Sequence, residues 1–198
     1  MDYSELQQLS ESGELFICLK LIKYIKKDVA RFFYDCEFEE TLTEGIKLIS
    51  IGMVDEFGNE LYLINSEYDW STCRNEWLIE NVKPFIDNAP EYLKCTKVTM
   101  IDKLLAFMKP ALNKDIKLYG YYSAYDHVCF CQIFGLMKDL LAGLPMFTHD
   151  LKQILDYLNI DSYQGLLEGP IDEHDALCDA KWNLKLYKAI KEKYGMDI

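Results

Sequence analysis

The feature that most constrains the fold is the segment RFFYDCEFEE at residues 31–40, where carboxylates interrupt a run of apolar and aromatic side chains. A strand with one face in solvent alternates apolar and polar residues, whereas a strand covered on both faces is apolar at consecutive positions. Phe32, Phe33 and Tyr34 are consecutive, and Cys36 continues the run. The segment therefore predicts an interior strand of a sheet that is covered on both faces.

Two carboxylates in this strand, Asp35 and Glu37, are separated by one residue and therefore project from the same side. Burying two like charges together is costly unless a cation neutralises them. The pair therefore predicts a site for a hard divalent metal. The alternative is a solvated strand edge, against which the flanking aromatic residues argue. We expect Glu39 and Glu40 to form only the polar exit from the strand.

A third acidic residue of interest lies in YYSAYDHVCFCQIFG, at the point where a predicted strand gives way to a helix. We expect the strand over residues 116–121, a break over 120–123, and Asp126 in the first helical turn. An acidic residue there also favours the helix dipole, which is the structural alternative for Asp126. His127 is expected to face solvent or to cap the helix locally.

The third block, EHDALCDAKWN, combines a histidine with a carboxylate. Asp175 is a good N-cap for a last helix that runs to about residue 194. His174 then lies in the loop before this helix, and Asp179 lies about one turn inside it. This arrangement supplies one movable proton acceptor and one fixed carboxylate ligand. The alternative is that His174 is a capping or core histidine.

Taken together, the motifs resemble the DEDDh 3′→5′ exonucleases of the DnaQ-like, ribonuclease H-like superfamily. They look most like its small branch called polyadenylate-specific 3′-exoribonuclease AS. The resemblance covers residues 30–187 and rests on FFYDCEFEE, KLISIGMVDEFGNELYLINSEYD, GYYSAYDHVCFCQIFG, PMFTHDLKQ and HDALCDA. It implies that two divalent cations, Mg²⁺ or Mn²⁺, are bound by Asp35, Glu37, Asp126 and Asp179, and that His174 is the general base. One departure is Tyr122, where many relatives carry an Asn; it bears on the local turn and not on the ligands.

The order of the predicted elements agrees with an α/β fold of the ribonuclease H-like type. We expect a mixed sheet, three antiparallel strands followed by parallel strands, flanked by helices. Strands are predicted over 31–38, 46–54, 60–65 and 116–121, with a hairpin turn over 57–59. Helices are predicted over 15–27, 76–86 with a break at Pro84, 101–108 with a capping box of Thr99 and Asp102, and 151–158. We divide the chain into a helical extension at residues 1–29 and an exonuclease domain at residues 30–198.

Composition limits the kind of nucleic acid that the chain can hold. A net charge of −12 argues against attraction to a long duplex and favours a grip on a few terminal nucleotides. The one basic cluster is Lys20, Lys23, Lys26, Lys27 and Arg31. Substrate contacts are expected from Phe38 and Tyr125 beside the carboxylates. Others are expected from Tyr68, Trp70 and Arg74 in the loop 65–75, which offers rings for a base and a cation for phosphate. Trp77 is expected in the core, and a core position is the alternative for Trp70.

The predicted activity is two-metal hydrolysis of single-stranded RNA, or DNA, from the 3′ end. No apolar run reaches the roughly 18 residues of a membrane span. Seven cysteines, an odd number without zinc-type spacing, predict reduced thiols and a cytoplasmic location. The expected partner is single-stranded nucleic acid, RNA favoured over DNA, and a homodimer is a further expectation. The alternatives are a ribonuclease H-like endonuclease and a non-catalytic interaction protein with the same fold.

Overall fold

The computed structural model describes residues 28–195. Its centre is a six-stranded sheet with the order β4-β3-β2-β1-β5-β6. The strands are β1 (Val29–Thr41), β2 (Gly45–Asp55), β3 (Glu60–Asn65), β4 (Lys94–Cys95), β5 (Asp115–Gly120) and β6 (His149–Asp150). The first three strands are antiparallel, and the last three join the sheet in parallel. The predicted mixed sheet is therefore confirmed.

Six α-helices flank the sheet within these residues. They are α1 (Glu76–Asn81), α2 (Lys83–Asn88), α3 (Lys97–Met108), α4 (Ala124–Phe134), α5 (Leu151–Tyr157) and α6 (Ala176–Tyr194). Single 3₁₀ turns occupy Glu91–Leu93, Lys109–Ala111, Met137–Asp139 and Tyr163–Gly165. Among residues 28–195, no helix combines the length and the apolar character that crossing a membrane requires.

Strand β1 is buried on both faces, as its apolar run predicts. Phe32, Tyr34 and Cys36 pack on one face in a core cluster shared with α3 and α4. Phe33 packs on the opposite face, in a cluster shared with α5 and α6. Because side chains alternate along a strand, Asp35 and Glu37 share the face of Phe33.

Several predicted boundaries differ from the structure. Helix α3 begins at Lys97 rather than at residue 101, because Thr96 is the N-cap and its side chain accepts a hydrogen bond from the Thr99 N–H. The predicted capping box of Thr99 and Asp102 is therefore wrong. The predicted helix over 76–86 is two helices that meet at Val82, and Pro84 lies in the first turn of α2, where its missing N–H is tolerated.

The predicted helix over 15–27 lies outside the described residues, as do Lys20, Lys23, Lys26 and Lys27 of the basic cluster. Arg31, the described member of that cluster, forms an ion pair with Glu56 at 3.5 Å. The division at residues 29 and 30 stays a prediction.

Candidate functional site

The site begins where β1 extends beyond its neighbour β5. Pairing between the two strands ends at Phe33 and Tyr119, and β1 continues without a partner on that edge. Side chains occupy the gap instead. Asp126, in the first turn of α4, accepts a hydrogen bond from the Cys36 N–H at 2.8 Å. Asn183 of α6 donates to the Tyr34 carbonyl oxygen at 3.1 Å. These bonds join α4 and α6 to β1 at the two residues that flank Asp35 in the sequence.

A glycine allows α6 to begin directly against the strand pair. Gly52 of β2 is the register partner of Asp35. A Cβ atom at this position would lie 2.2 Å from the carbonyl oxygen of Ala176, the first residue of α6. Only a residue without a side chain permits that approach. The start of α6 is therefore held beside the carboxylates of β1.

The loop before α6 carries His174 in an unusual backbone conformation, with φ of +76°. Asp175 is the N-cap, as predicted, and its side chain accepts a hydrogen bond from the Cys178 N–H at 2.9 Å. The backbone N–H of His174 donates to the Asp179 carboxylate at 2.9 Å. Ligand atoms of Glu37, His174 and Asp179 all lie within 4.8 Å of one another. The predicted turn spacing thus brings the histidine and the carboxylate together.

All five residues predicted for the site line one cavity of about 290 Å³. The cavity walls are otherwise rich in aromatic rings and contain no lysine or arginine among residues 28–195. The remaining lining residues are Cys36, Phe38, Tyr121, Tyr122, Tyr163, Pro170, Glu173, Trp182 and Asn183. The cavity is therefore acidic at its base and aromatic at its sides.

Burial and mutual repulsion raise the pKa of Asp35, Glu37, Asp126 and Asp179. Burial raises the pKa of Glu37 to about 8, with further contributions from the charges of Asp179 and Asp126. The pKa of Asp126 rises to about 7, mainly through burial, although its hydrogen bond from Cys36 opposes the rise. The pKa of Asp179 rises to about 6, also through burial. Burial and the three neighbouring carboxylates raise the pKa of Asp35 well above its usual value.

These carboxylates fit divalent cations of the hard type. Their oxygen atoms are the donors that Mg²⁺ and Mn²⁺ prefer. Four negative charges repel one another here, which is the direction of the raised pKa values, and the residues that line the cavity supply no lysine or arginine to offset them. A divalent ion would remove the repulsion and favour the ionised forms.

The predicted substrate contacts divide into two groups. Phe38 lines the cavity and stacks on the half-exposed ring of Tyr125, with centroids 5.9 Å apart. Tyr68 and Trp70 instead pack together against a core cluster of β3, α1 and α2, and neither lines the cavity. The guanidinium of Arg74 donates to the carbonyl oxygens of its own loop, from Ser71 and Cys73.

Two expectations for neighbouring residues are wrong. Glu39 is buried rather than a polar exit, because its carboxylate accepts a hydrogen bond from the Tyr68 hydroxyl at 3.0 Å. His127 is half-buried rather than solvent-facing, because its ring stacks on Phe130 within the α4 face of the core.

Sequence reasoning missed two residues that the structure brings to the site. Trp77 of α1, expected in the core, is half-exposed and contacts His174 edge to face, with ring centroids 4.5 Å apart. Asn183 is buried, and its side-chain oxygen has no hydrogen-bond partner among the described residues. The spacing of four residues from Asp179 predicts that Asn183 shares its helix face. Nothing in the sequence predicts the contact of Trp77.

No protein-family model matches the chain. Two curated proteins from two strains of Mycobacterium tuberculosis, each named a 3′-5′ exoribonuclease, are 33% identical to it over 160 residues. The match covers 81% of this chain and 92% of each relative.

Among solved structures, exonuclease I aligns with a TM-score of 0.59 at 12% identity, over 83% of this chain and 41% of its own. A complex of Escherichia coli exonuclease I with a dT13 oligonucleotide aligns with a TM-score of 0.58 at 13% identity, over 85% of this chain and 41% of its own. This likeness shows the fold.

Proposed function

Because the chain belongs to the family of 3′-5′ exoribonucleases that the two mycobacterial proteins represent, we propose that it hydrolyses single-stranded RNA from the 3′ end and releases 5′-mononucleotides. The observation that carries the proposal is the convergence of four carboxylates and one histidine on a single cavity. Within this proposal the chain is a DEDDh enzyme of the AS branch, on the motifs that it shares with that branch.

The residues of the cavity have distinct proposed roles. Asp35, Glu37, Asp126 and Asp179 would hold two divalent cations, Mg²⁺ or Mn²⁺. When bound, the cations would act as Lewis acids on the phosphodiester and offset its negative charge. His174 accepts a proton from the attacking water as general base. Asp179 also fixes the loop that carries His174, since its carboxylate accepts a hydrogen bond from the His174 backbone N–H at 2.9 Å.

The charge of the chain supports attack at a strand end. An enzyme that cuts within a duplex needs a basic groove along the backbone, and the chain has a net charge of −12. A cavity of about 290 Å³ with carboxylates at its base suits one terminal nucleotide. The filled set of five site residues argues against a non-catalytic protein that retains only the fold.

The test is digestion of matched single-stranded RNA and DNA oligonucleotides that carry a label at the 5′ or the 3′ end. We expect a ladder of 5′-labelled products that shorten one nucleotide at a time, with RNA degraded faster than DNA. A 3′-labelled strand should release a labelled mononucleotide at once. The D35N variant, purified in the same way, controls for contaminating nuclease.

Two further substrates separate exonuclease from endonuclease. A strand that ends in a 3′ phosphate should resist hydrolysis, and a circular single-stranded RNA should remain intact. Fragments cut from the circle would overturn the proposal and favour the ribonuclease H-like endonuclease. Homodimerisation and a cytoplasmic location stay predictions from the sequence, and light scattering during size-exclusion chromatography measures the first.

A further inference from the structure

Tyr122 adopts a backbone conformation that a bulky side chain rarely takes. Its φ is +55°, in the left-handed region that Gly, Asn and Asp occupy far more readily. Asp150, the N-cap of α5, holds the turn in place. Its carboxylate accepts hydrogen bonds from the backbone N–H of Tyr122 at 3.1 Å and from that of Ser123 at 3.0 Å. The backbone here is thus fixed by its surroundings, whatever side chain it carries.

Core packing does not account for a tyrosine at this position. The Tyr122 side chain is 64% exposed, so its burial contributes little to the free energy of folding. The left-handed conformation itself is costly for a bulky residue, and such strain is typical of functional sites. An asparagine would fit the same backbone with less strain.

The ring of Tyr122 is instead presented to the cavity on a rigid support. It lines the cavity and rests edge to face on Tyr121, with centroids 4.8 Å apart. Tyr121 is in turn packed on Trp182 at 5.2 Å and on Tyr163 at 5.9 Å. A supported ring with a free face is the arrangement on which proteins stack the bases of single-stranded nucleic acids.

We propose that Tyr122 is a substrate-binding residue that stacks one nucleobase of the RNA strand at the mouth of the cavity. The inference rests on the proposed function and extends it, because stacking accepts any base and would supply affinity that the acidic surface does not. The strained turn persists because it aims this ring at the strand. The tyrosine at this position therefore has a role in substrate binding and does not affect the local turn alone.

The test compares Y122N with Y122F, which keeps the ring. We expect Y122N to unfold at a higher urea concentration than the wild type, because the strain is relieved. Its KM for a trinucleotide RNA should nevertheless rise about tenfold, the order expected for losing one base stack, while kcat changes little. Y122F should retain most of the affinity. Y157N, which replaces a tyrosine that is 80% exposed on α5, is the matched control.

An abasic scan identifies the stacked base. Trinucleotides that lack the base at one position at a time are compared on the wild type and on Y122N. At one position the loss of the base should weaken wild-type binding and leave Y122N unaffected. Equal losses for both proteins at every position would overturn the inference, as would a KM for Y122N equal to that of the wild type. A wild type that fails to shorten unmodified RNA would overturn the proposed function instead.

Discussion

At the scale of single residues, His174 is the group on which the proposed chemistry depends most. Its loop is fixed by the N-cap Asp175 and by the hydrogen bond to Asp179, so removing the imidazole leaves the backbone anchored. We expect H174A to lower kcat roughly 10²–10⁴-fold, the usual contribution of a general base. Its melting temperature should rise on addition of Mg²⁺ as that of the wild type does, which shows that the carboxylates are intact. A variant with an unchanged rate would mean that another group accepts the proton.

Removing a buried carboxylate should lower the activity but raise the stability of the protein. Asp35 and Asp179 carry raised pKa values because they are buried among like charges. D35N and D179N should therefore abolish turnover and also raise the urea midpoint of the metal-free protein at pH 8. D161N is the matched control, since it removes an exposed charge outside the cavity lining. A fall in stability for both cavity variants would show that repulsion between the carboxylates does not limit the stability of the protein.

The five predicted site residues follow from local sequence patterns, as does the helix face of Asn183, whereas the contact of Trp77 does not. Asp35 and Glu37 are set by strand alternation, and His174 and Asp179 by the spacing at a helix start. The position of Trp77 depends on how α1 packs beside the loop of His174, which is a tertiary contact between distant segments. The same limit applies to Tyr68 and Trp70, which pack against a core cluster and do not line the cavity. Aromatic side chains suit a core as well as a base-binding surface.

At the scale of elements, the contact between β2 and the start of α6 sets the geometry of the site. G52A would bring a methyl group to 2.2 Å from the Ala176 carbonyl oxygen, and the nearest atoms that it meets all belong to the backbone of α6. We expect the variant to lose at least about 1–3 kcal/mol of stability, the usual cost of overpacking. Activity should fall more than stability explains, because α6 carries Asp179.

The measurement is urea unfolding together with RNA hydrolysis under conditions in which the variant is folded. G165A is the matched control, since a Cβ at Gly165 has no neighbour within 4 Å. A G52A variant with wild-type kcat would show that α6 can shift without disturbing the carboxylates.

The long elements were predictable because their patterns are strong, and the short ones were not. The three antiparallel strands, α5 and the N-cap of α6 lie where the sequence predicts them, within a few residues. Strand β4 has only two residues and forms through pairing with β3, so no local pattern marks it. Thr96 and Thr99 both suit an N-cap, so the sequence alone does not fix the start of α3.

At the scale of the whole molecule, the acidic cavity links protonation, metal binding and stability. The pKa values of Glu37, Asp126 and Asp179 are raised to about 8, 7 and 6, against about 4 in an unfolded chain. The folded protein therefore holds more protons than the unfolded one in this interval. The stability that these groups contribute is fully present below about pH 4 and is lost as the pH rises towards about 8.

We accordingly expect the urea midpoint of the metal-free protein to fall between pH 5 and 8 relative to that of D179N at the same pH. Taking the difference cancels the contributions of His127 and His149, whose lowered pKa values act in the opposite direction. Each unit of pKa corresponds to about 1.4 kcal/mol, and Asp179 is only partly buried, so after screening by solvent we expect a divergence of about that size. Under the proposed function Mg²⁺ binds the ionised carboxylates, so its addition at pH 8 should restore the wild-type midpoint, and excess EDTA should abolish both this gain and RNA hydrolysis. Hydrolysis that persists in EDTA, or a midpoint that Mg²⁺ leaves unchanged, would show that the four carboxylates do not bind the cation.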